Sequence, residues 1–241
     1  MSIYDKAIKQ LEGLTDRFGF NPAEVDQGSL EWFVLKFGVA SASNADKIVA
    51  KRDSATRQTY MASLISQVCN MQEPEEMPFK QLEWGKKYEA AARDALSVAL
   101  GLVEIKEIPF IYLDSDLRAG ASPDGLVEST CIELKVPFNS ENFIKFAAFD
   151  TNKTAWRWQS QAQIFMTKAE RHIFAQYDPR SVLCHNLHYI ETEISDADQK
   201  TIADAIPQFV EDMDKALSRL GVVFGEHWIY LKNLRNSQEV L

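Results

Sequence analysis

Gly120-Ala-Ser-Pro-Asp-Gly-Leu-Val-Glu-Ser-Thr-Cys-Ile-Glu-Leu-Lys-Val-Pro-Phe138 is the stretch around which the chain is built. Pro123-Asp124-Gly125 puts a carboxylate at a turn, and Cys131 to Val136 is a short β-prone run bounded by turn residues and Pro137. The two halves are expected to pair as a hairpin. Side chains alternate along a strand, so Glu133 and Lys135 share one face while Ile132, Leu134 and Val136 point into a core. A strand beginning near Asp124 brings a second carboxylate beside the first. Two carboxylates next to an ammonium are oxygen ligands for a hard divalent cation, a constellation suited to phosphodiester hydrolysis.

Taken alone, Glu-x-Lys reads as a solvated strand face with a weak ion pair, and Pro-Asp-Gly as a turn. Their combination is the PD-(D/E)xK nuclease pattern. Ser122-Pro-Asp-Gly-Leu126 and Glu133-Leu-Lys-Val-Pro-Phe138 resemble the core of the lambda-exonuclease-like, YqaJ-type viral recombinase family within that superfamily. So do Trp32-Phe-Val-Leu-Lys-Phe-Gly-Val39 with Ser41-Ala-Ser43, Trp84-Gly-Lys-Lys-Tyr-Glu89, Gln161-Ala-Gln163, Tyr177-Asp-Pro-Arg180 and Gly221-Val-Val-Phe-Gly-Glu226. The resemblance runs in order over nearly the whole chain.

The resemblance implies an α/β fold of the restriction-endonuclease-like type, a mixed central sheet with helices on both sides. It implies hydrolysis of linear double-stranded DNA from a 5′ end, releasing 5′-mononucleotides and leaving a 3′ single strand for recombination by annealing. Asp124, Glu133 and the Leu134 carbonyl would hold one Mg²⁺, and Asp124 with Glu89 a second, Mn²⁺ being a substitute. Lys135 would orient or deprotonate the attacking water, and Gln161 would face the site. Lys36, Ser43 and, by approximate alignment, Arg52 would hold the 5′-phosphate; the compared family member has arginine at the Lys36 position. A homotrimeric ring and a single-strand-annealing partner are also implied. An endonuclease of the same fold and a non-catalytic DNA-end-binding protein remain open as alternatives.

Composition bounds this reading. The 241 residues are 46% hydrophobic, enough for a buried core, and no Pro/Gly/Ser-rich linker interrupts them, so a single domain over 1–241 is expected. No apolar run approaches the ~18 residues of a membrane span, and the N-terminus lacks the apolar stretch of a signal peptide. A soluble cytoplasmic protein is expected. Cys69, Cys131 and Cys184 lack metal spacing and read as free buried thiols. His172, His185, His188 and His227 show no metal spacing either. The net charge of −9 argues against indiscriminate nucleic-acid binding, yet charge is segregated. Residues 36–57 carry five basic side chains against two acidic ones, and the segment from Ile190 onward carries ten acids against five bases. Such segregation suits one DNA-facing surface.

Hydrophobic periodicity predicts helices over 2–18, from Ser29 to Gly38, from Ser41 or Ser43 to about Ala50, and over 56–72. Further helices are expected over 79–100, 140–149, 154–168 and from Ser195 to about Leu220, with a loop at 72–78. Strands are expected in Val103–Leu113, Arg118–Ala121, Arg171–Tyr177 and His185–Thr192. Glu89 falls in the 79–100 helix, where its plain role is an i,i+4 partner for Arg93. The aromatic tail beyond Gly221 (Phe224, Trp228, Tyr230) suits packing against this domain or a neighbour.

Overall fold

The computed structural model describes residues 1–71 and 79–238. Its helices are α1 (Ile3–Glu12), α2 (Thr15–Phe18), α3 (Leu30–Lys36), α4 (Ala45–Ile48), α5 (Ala55–Asn70), α6 (Phe79–Ala99), α7 (Ser140–Phe149), α8 (Thr154–Thr167), α9 (Asp196–Arg219) and α10 (Glu226–Gln238). The strands are β1 (Ala40–Ser41), β2 (Ile111–Tyr112), β3 (Ala119–Ala121), β4 (Gly125–Val127), β5 (Thr130–Lys135), β6 (Arg171–Tyr177) and β7 (Leu187–Glu191). The loop expected at 72–78 lies outside the described residues.

The strands form two mixed sheets, ordered β1-β3-β2 and β4-β5-β6-β7. In the larger, β4 and β5 make the expected antiparallel hairpin, with Gly125 opposite Ile132, Leu126 opposite Cys131 and Val127 opposite Thr130. β5 then runs parallel to β6 across the α7–α8 crossover, and β6 runs antiparallel to β7. Parallel pairing demands such a crossover, which is why helices cover this part of the sheet. Ile132 and Leu134 pack with Ile173, Ala175 and Leu96 of α6. The opposite face of β5 lies under α8. Both faces of β5 are therefore buried, and Glu133 and Lys135 do not form the solvated face that a lone Glu-x-Lys would suggest.

Several local expectations are revised. The helix expected over 2–18 breaks at Gly13 into α1 and α2; a reciprocal Ser2–Asp5 capping box starts α1. Only Ile111–Tyr112 of the Val103–Leu113 run forms a strand, although Ile108 and Phe110 are fully buried. Ser41 and Ser43 do not cap a helix; a 3₁₀ turn at Ala42–Asn44 leads into α4. Cys131 is buried as expected, but Cys184 is exposed.

Ser29 does cap α3, accepting from the Trp32 amide at 3.2 Å. The helix stops at Gly38, whose φ of +72° suits glycine and whose added Cβ would lie 2.3 Å from Val68 Cγ2. α10 fastens this C-terminal end of α3: Trp228 Nε1 donates to the Val34 carbonyl at 2.8 Å and His227 Nε2 to the Phe37 carbonyl at 3.2 Å. The aromatic tail is thus a structural brace, except that Tyr230 is exposed. No described helix is long and apolar enough to cross a membrane.

Candidate active site

Two side chains from outside the hairpin hold its turn. Gln27 Nε2 donates to the Ile108 and Pro123 carbonyls at 2.8 and 3.1 Å, and the Trp32 indole donates to the Pro109 carbonyl at 2.8 Å and to Ser122 Oγ at 3.2 Å. Within the hairpin, the Asp124 amide donates to the Ile132 carbonyl at 3.1 Å and Asp124 Oδ2 accepts from the Leu134 amide at 2.6 Å. Gly125 is required beside it, because a Cβ there would lie 2.2 Å from Ile105 Cγ2. Asp124 therefore faces β5 at the level of Glu133 and Lys135.

Glu133 is only 2% exposed, and among the described residues its side-chain hydrogen-bond partners are all donors. Gln159 Nε2 and Lys135 Nζ donate to Oε1, the former at 2.6 Å, and Gln163 Nε2 donates to Oε2. Burial, then the neighbouring Glu133 carboxylate, push the Asp124 carboxyl well above the usual carboxylate range. For Lys135, burial pulls the ammonium down, but Glu133 and Asp124 outweigh it and hold the group above its ordinary value. In this arrangement Lys135 is an ammonium clamped to a carboxylate, fitted to orient a reactant.

The donor set fits a hard cation. Two carboxylates and the Leu134 main chain suit Mg²⁺, which uses one or two carboxylates and keeps several waters. Among the described residues, no three His, Cys, Asp or Glu side chains converge on one point, so Asp124 and Glu133 stand as a pair and Glu89 does not join them in this arrangement. The charge crowding at Asp124 is what a bound dication relieves.

Glu89 stands on α6, 39% exposed, and is bound to Arg93 Nη2 at 2.9 Å. Arg93 also reaches Glu107 at 2.5 Å and the Asp124 carbonyl at 3.4 Å, so it lies between Glu89 and the hairpin turn. A groove of about 580 Å³ opens beside them between α3 and α6, lined by Trp32, Phe33, Lys86, Glu89, Arg93 and Glu107 among others.

Gln161 does not face Glu133. It bonds the Glu193 carbonyl at 2.7 Å, the Ser195 amide at 3.2 Å and Gln199 at 2.9 Å, on the side of α8 toward α9. Residues two apart on a helix are some 200° apart, so the pair that can reach β5 is Gln159 and Gln163, one turn apart. That i,i+4 glutamine spacing was the readable signal. Arg180 is a second residue that the motif reading left without a role: it donates to the Pro137 and Phe138 carbonyls at 2.9 Å and to Asp178, fastening the end of β5 to the end of β6. Its guanidinium also stacks 4.5 Å from the Trp84 ring.

Lys36 and Ser43 do come together. With Ser41, Asn44, Tyr60 and Gln67 they line a cavity of about 130 Å³ that has no carboxylate on its described wall. Ser41 Oγ and Ser43 Oγ are 3.0 Å apart, and the Tyr60 hydroxyl accepts from the Ser41 amide at 3.0 Å. The Lys36 ammonium sits 3.3 Å from the Trp32 ring centroid, and burial pushes its pKa down to about 7. Arg52 is not part of this wall. It is bound through two nitrogens to Asp212 of α9, which also pairs with the buried Arg57 at 2.9 Å. The basic segment is thus partly neutralised by the acidic one.

Comparison with known proteins places these features in a family. Residues 31–170 match the YqaJ-like viral recombinase domain. The chain is 34% identical over 84 residues to the uncharacterized protein ExoD of Escherichia coli (strain K12), covering 35% of this chain and 95% of that one. Among solved structures, the alkaline exonuclease LHK-Exo from Laribacter hongkongensis superposes with a TM-score of 0.71 at 25% identity, over 80% of this chain and 96% of that one. Its complex with dAMP superposes equally well, at 26% identity. A phage-related exonuclease from Haemophilus somnus 129PT shares the fold, with a TM-score of 0.62 at 13% identity over 76% of this chain and 96% of that one. With more than half of its length matched by the family model, and with Asp124, Glu133 and Lys135 gathered on one hairpin, the chain belongs to the YqaJ-like viral recombinase domain family.

Proposed function

We propose that this protein is a metal-dependent exonuclease that degrades linear double-stranded DNA from 5′ ends, releasing 5′-mononucleotides and leaving a 3′ single strand for recombination by strand annealing. The observation that carries the reading is the buried convergence of Asp124, Glu133 and Lys135, with Gln159 and Gln163 fixing Glu133. Asp124, Glu133 and the Leu134 carbonyl would hold Mg²⁺ or Mn²⁺, and Glu89, on leaving Arg93, would join Asp124 in holding a second ion. Bound there, divalent cations stabilise the charge that develops on the attacking and leaving oxygens. Lys135 orients the attacking water from its place beside Glu133. Trp32 and Phe33 wall the groove toward Glu89, and Phe33 also lines the Lys36 cavity, so a strand end with its 5′-phosphate in that cavity would lead toward the acids.

The family resemblance supports a homotrimeric ring, a single-strand-annealing partner protein and action in the cytoplasm of a bacterial host by a phage or prophage protein. Release of acid-soluble nucleotide from linear duplex labelled at 5′ or 3′ ends, with closed circular duplex alongside, tests the reading. Early release of the 5′ label from linear DNA and none from the circle is expected. Cleavage of the circle would make the protein an endonuclease, and no metal-dependent release would make it an end-binding protein.

A further inference from the structure

Behind Glu133 lies a chain of polar groups, Gln163 and His172 buried and Thr192 half-buried, that direct contact with substrate does not explain. Gln163 Nε2 donates to Glu133 Oε2, His172 Nε2 is 2.8 Å from Gln163 Oε1, and His172 Nδ1 is 2.9 Å from Thr192 Oγ1. His172 is fully buried on β6, opposite Cys131 of β5, and the Thr192 amide donates to the His172 carbonyl at 2.7 Å.

The donor and acceptor roles along this chain are set from one end. An ionised carboxylate only accepts, so the Gln163 amide must present its NH₂ to Glu133 and its oxygen to His172. His172 must then carry its proton on Nε2. Burial pushes its pKa down to about 3, so the ring is neutral near pH 7 and Nδ1 is an acceptor. Thr192 completes the chain by donating its hydroxyl hydrogen to Nδ1. Without the histidine, Gln163 Oε1 loses its ring N–H partner and Glu133 alone holds the amide in its orientation. A flipped amide would set its oxygen against the carboxylate.

We infer that Thr192, His172 and Gln163 form a hydrogen-bonded relay that fixes the orientation of the Glu133 carboxylate for metal binding, His172 and Thr192 acting as positioning residues. The inference rests on the metal site proposed above and goes beyond it, because neither residue is among the groups proposed to hold metal or DNA. Partners behind a metal ligand typically change metal affinity by about 10- to 100-fold when removed.

The experiment measures Mn²⁺ affinity without DNA, by electron paramagnetic resonance, for the wild-type chain, His172→Phe, His172→Gln and Thr192→Val. Melting temperatures and the Mg²⁺ dependence of kcat and KM are recorded on the same samples. His172→Phe is expected to bind Mn²⁺ about 10-fold more weakly and to lose kcat with little change in the KM for DNA. His172→Gln restores an N–H facing Gln163 and is expected to recover most of the affinity, which a purely space-filling role would not predict. Thr192→Val keeps the shape, loses the donor and is expected to weaken affinity less. A folded His172→Phe protein with wild-type Mn²⁺ affinity overturns the relay. If that variant does not fold, unchanged affinity in Thr192→Val overturns it instead. Failure of the wild-type chain to bind Mn²⁺ would refute the metal site itself, and is read from that sample alone.

Discussion

Trp32 Nε1 donates to Ser122 Oγ at 3.2 Å while the Trp32 ring carries the Lys36 ammonium at 3.3 Å, so one side chain joins the lysine-lined cavity to the turn bearing Asp124. Trp32→Phe removes the donor and weakens the cation–π contact, and the Pro109 carbonyl keeps its bond from Ser122 at 2.6 Å. Stability should fall by about 1 kcal/mol. The discrimination between 5′-phosphorylated and 5′-hydroxyl duplex and the rate at saturating DNA should fall together. A variant that loses one and keeps the other would show that the two sites are not coupled through this residue.

Asp124 is a carboxylate held at energetic cost, since burial and Glu133 both raise its pKa. Asp124→Asn keeps an oxygen for the Leu134 amide and removes the repulsion. Above the ordinary carboxylate pKa the raised group opposes folding, so relief should be present at neutral pH and should vanish in acid. The variant is expected to melt no lower than wild type at pH 7 and to release no nucleotide. Hydrolysis near the wild-type rate by the folded variant would remove Asp124 from the site.

For Glu89 the question is whether a half-exposed partner of Arg93 is also a metal ligand. An exposed i,i+4 pair contributes about 0.3–0.5 kcal/mol, so Glu89→Gln should leave the melting temperature nearly unchanged. As a ligand it should cost more than about 100-fold in kcat, beyond what an outer partner costs. Unchanged activity and unchanged Mg²⁺ dependence would leave it a surface residue.

The hairpin was legible because its pattern is local: a turn acid, then acid-x-lysine on an apolar strand, with Asp124 and β5 joined by Leu134 as alternation requires. Its burial was not, because the second cover of β5 comes from α8, some thirty residues later in sequence. Similarity of sequence singles out Gln161, whereas helix geometry favours its neighbours at 159 and 163. Arg52 looked available because its partner, Asp212, is 160 residues away. Long-range pairing of this kind leaves no local pattern to read.

Two buried histidines should set the acid limit of stability. Burial holds His172 at about 3 and His227 at about 4, each also bonded in its neutral form. Between those values and the ordinary 6.5 the unfolded chain binds more protons than the native one, so stability rises with pH through this window. Each histidine should contribute about 1.5 kcal/mol of loss between pH 6.5 and pH 5. Urea unfolding at several pH values measures it. His172→Gln should flatten the acid limb by about half, and an unaltered limb would mean that other groups govern it.

The last prediction turns on the charge of Lys36. With a pKa of about 7, its ammonium is half deprotonated at neutral pH before any anion arrives. A 5′-phosphate, dianionic above pH ~6, needs that proton in place, so above pH ~7 binding must be accompanied by proton uptake. The preference of the wild-type chain for 5′-phosphorylated over 5′-hydroxyl duplex should therefore decline as pH rises from about 7 to 8.5, by up to about tenfold per unit until the phosphate-raised pKa is reached. Lys36→Arg stays charged throughout and should hold a flat preference, its planar fork suiting phosphate. Lys36→Ala should lose about tenfold to hundredfold of the preference at the lower pH, the cost of one charge-assisted contact, and should show little further pH dependence. Initial rates on both duplexes at subsaturating DNA and one fixed salt concentration give the ratio, which cancels pH effects on the chemical step common to both. Equal losses on the two substrates in Lys36→Ala, or a pH-independent ratio in the wild-type chain, would show that the cavity beside Ser41 and Ser43 does not read the 5′ end.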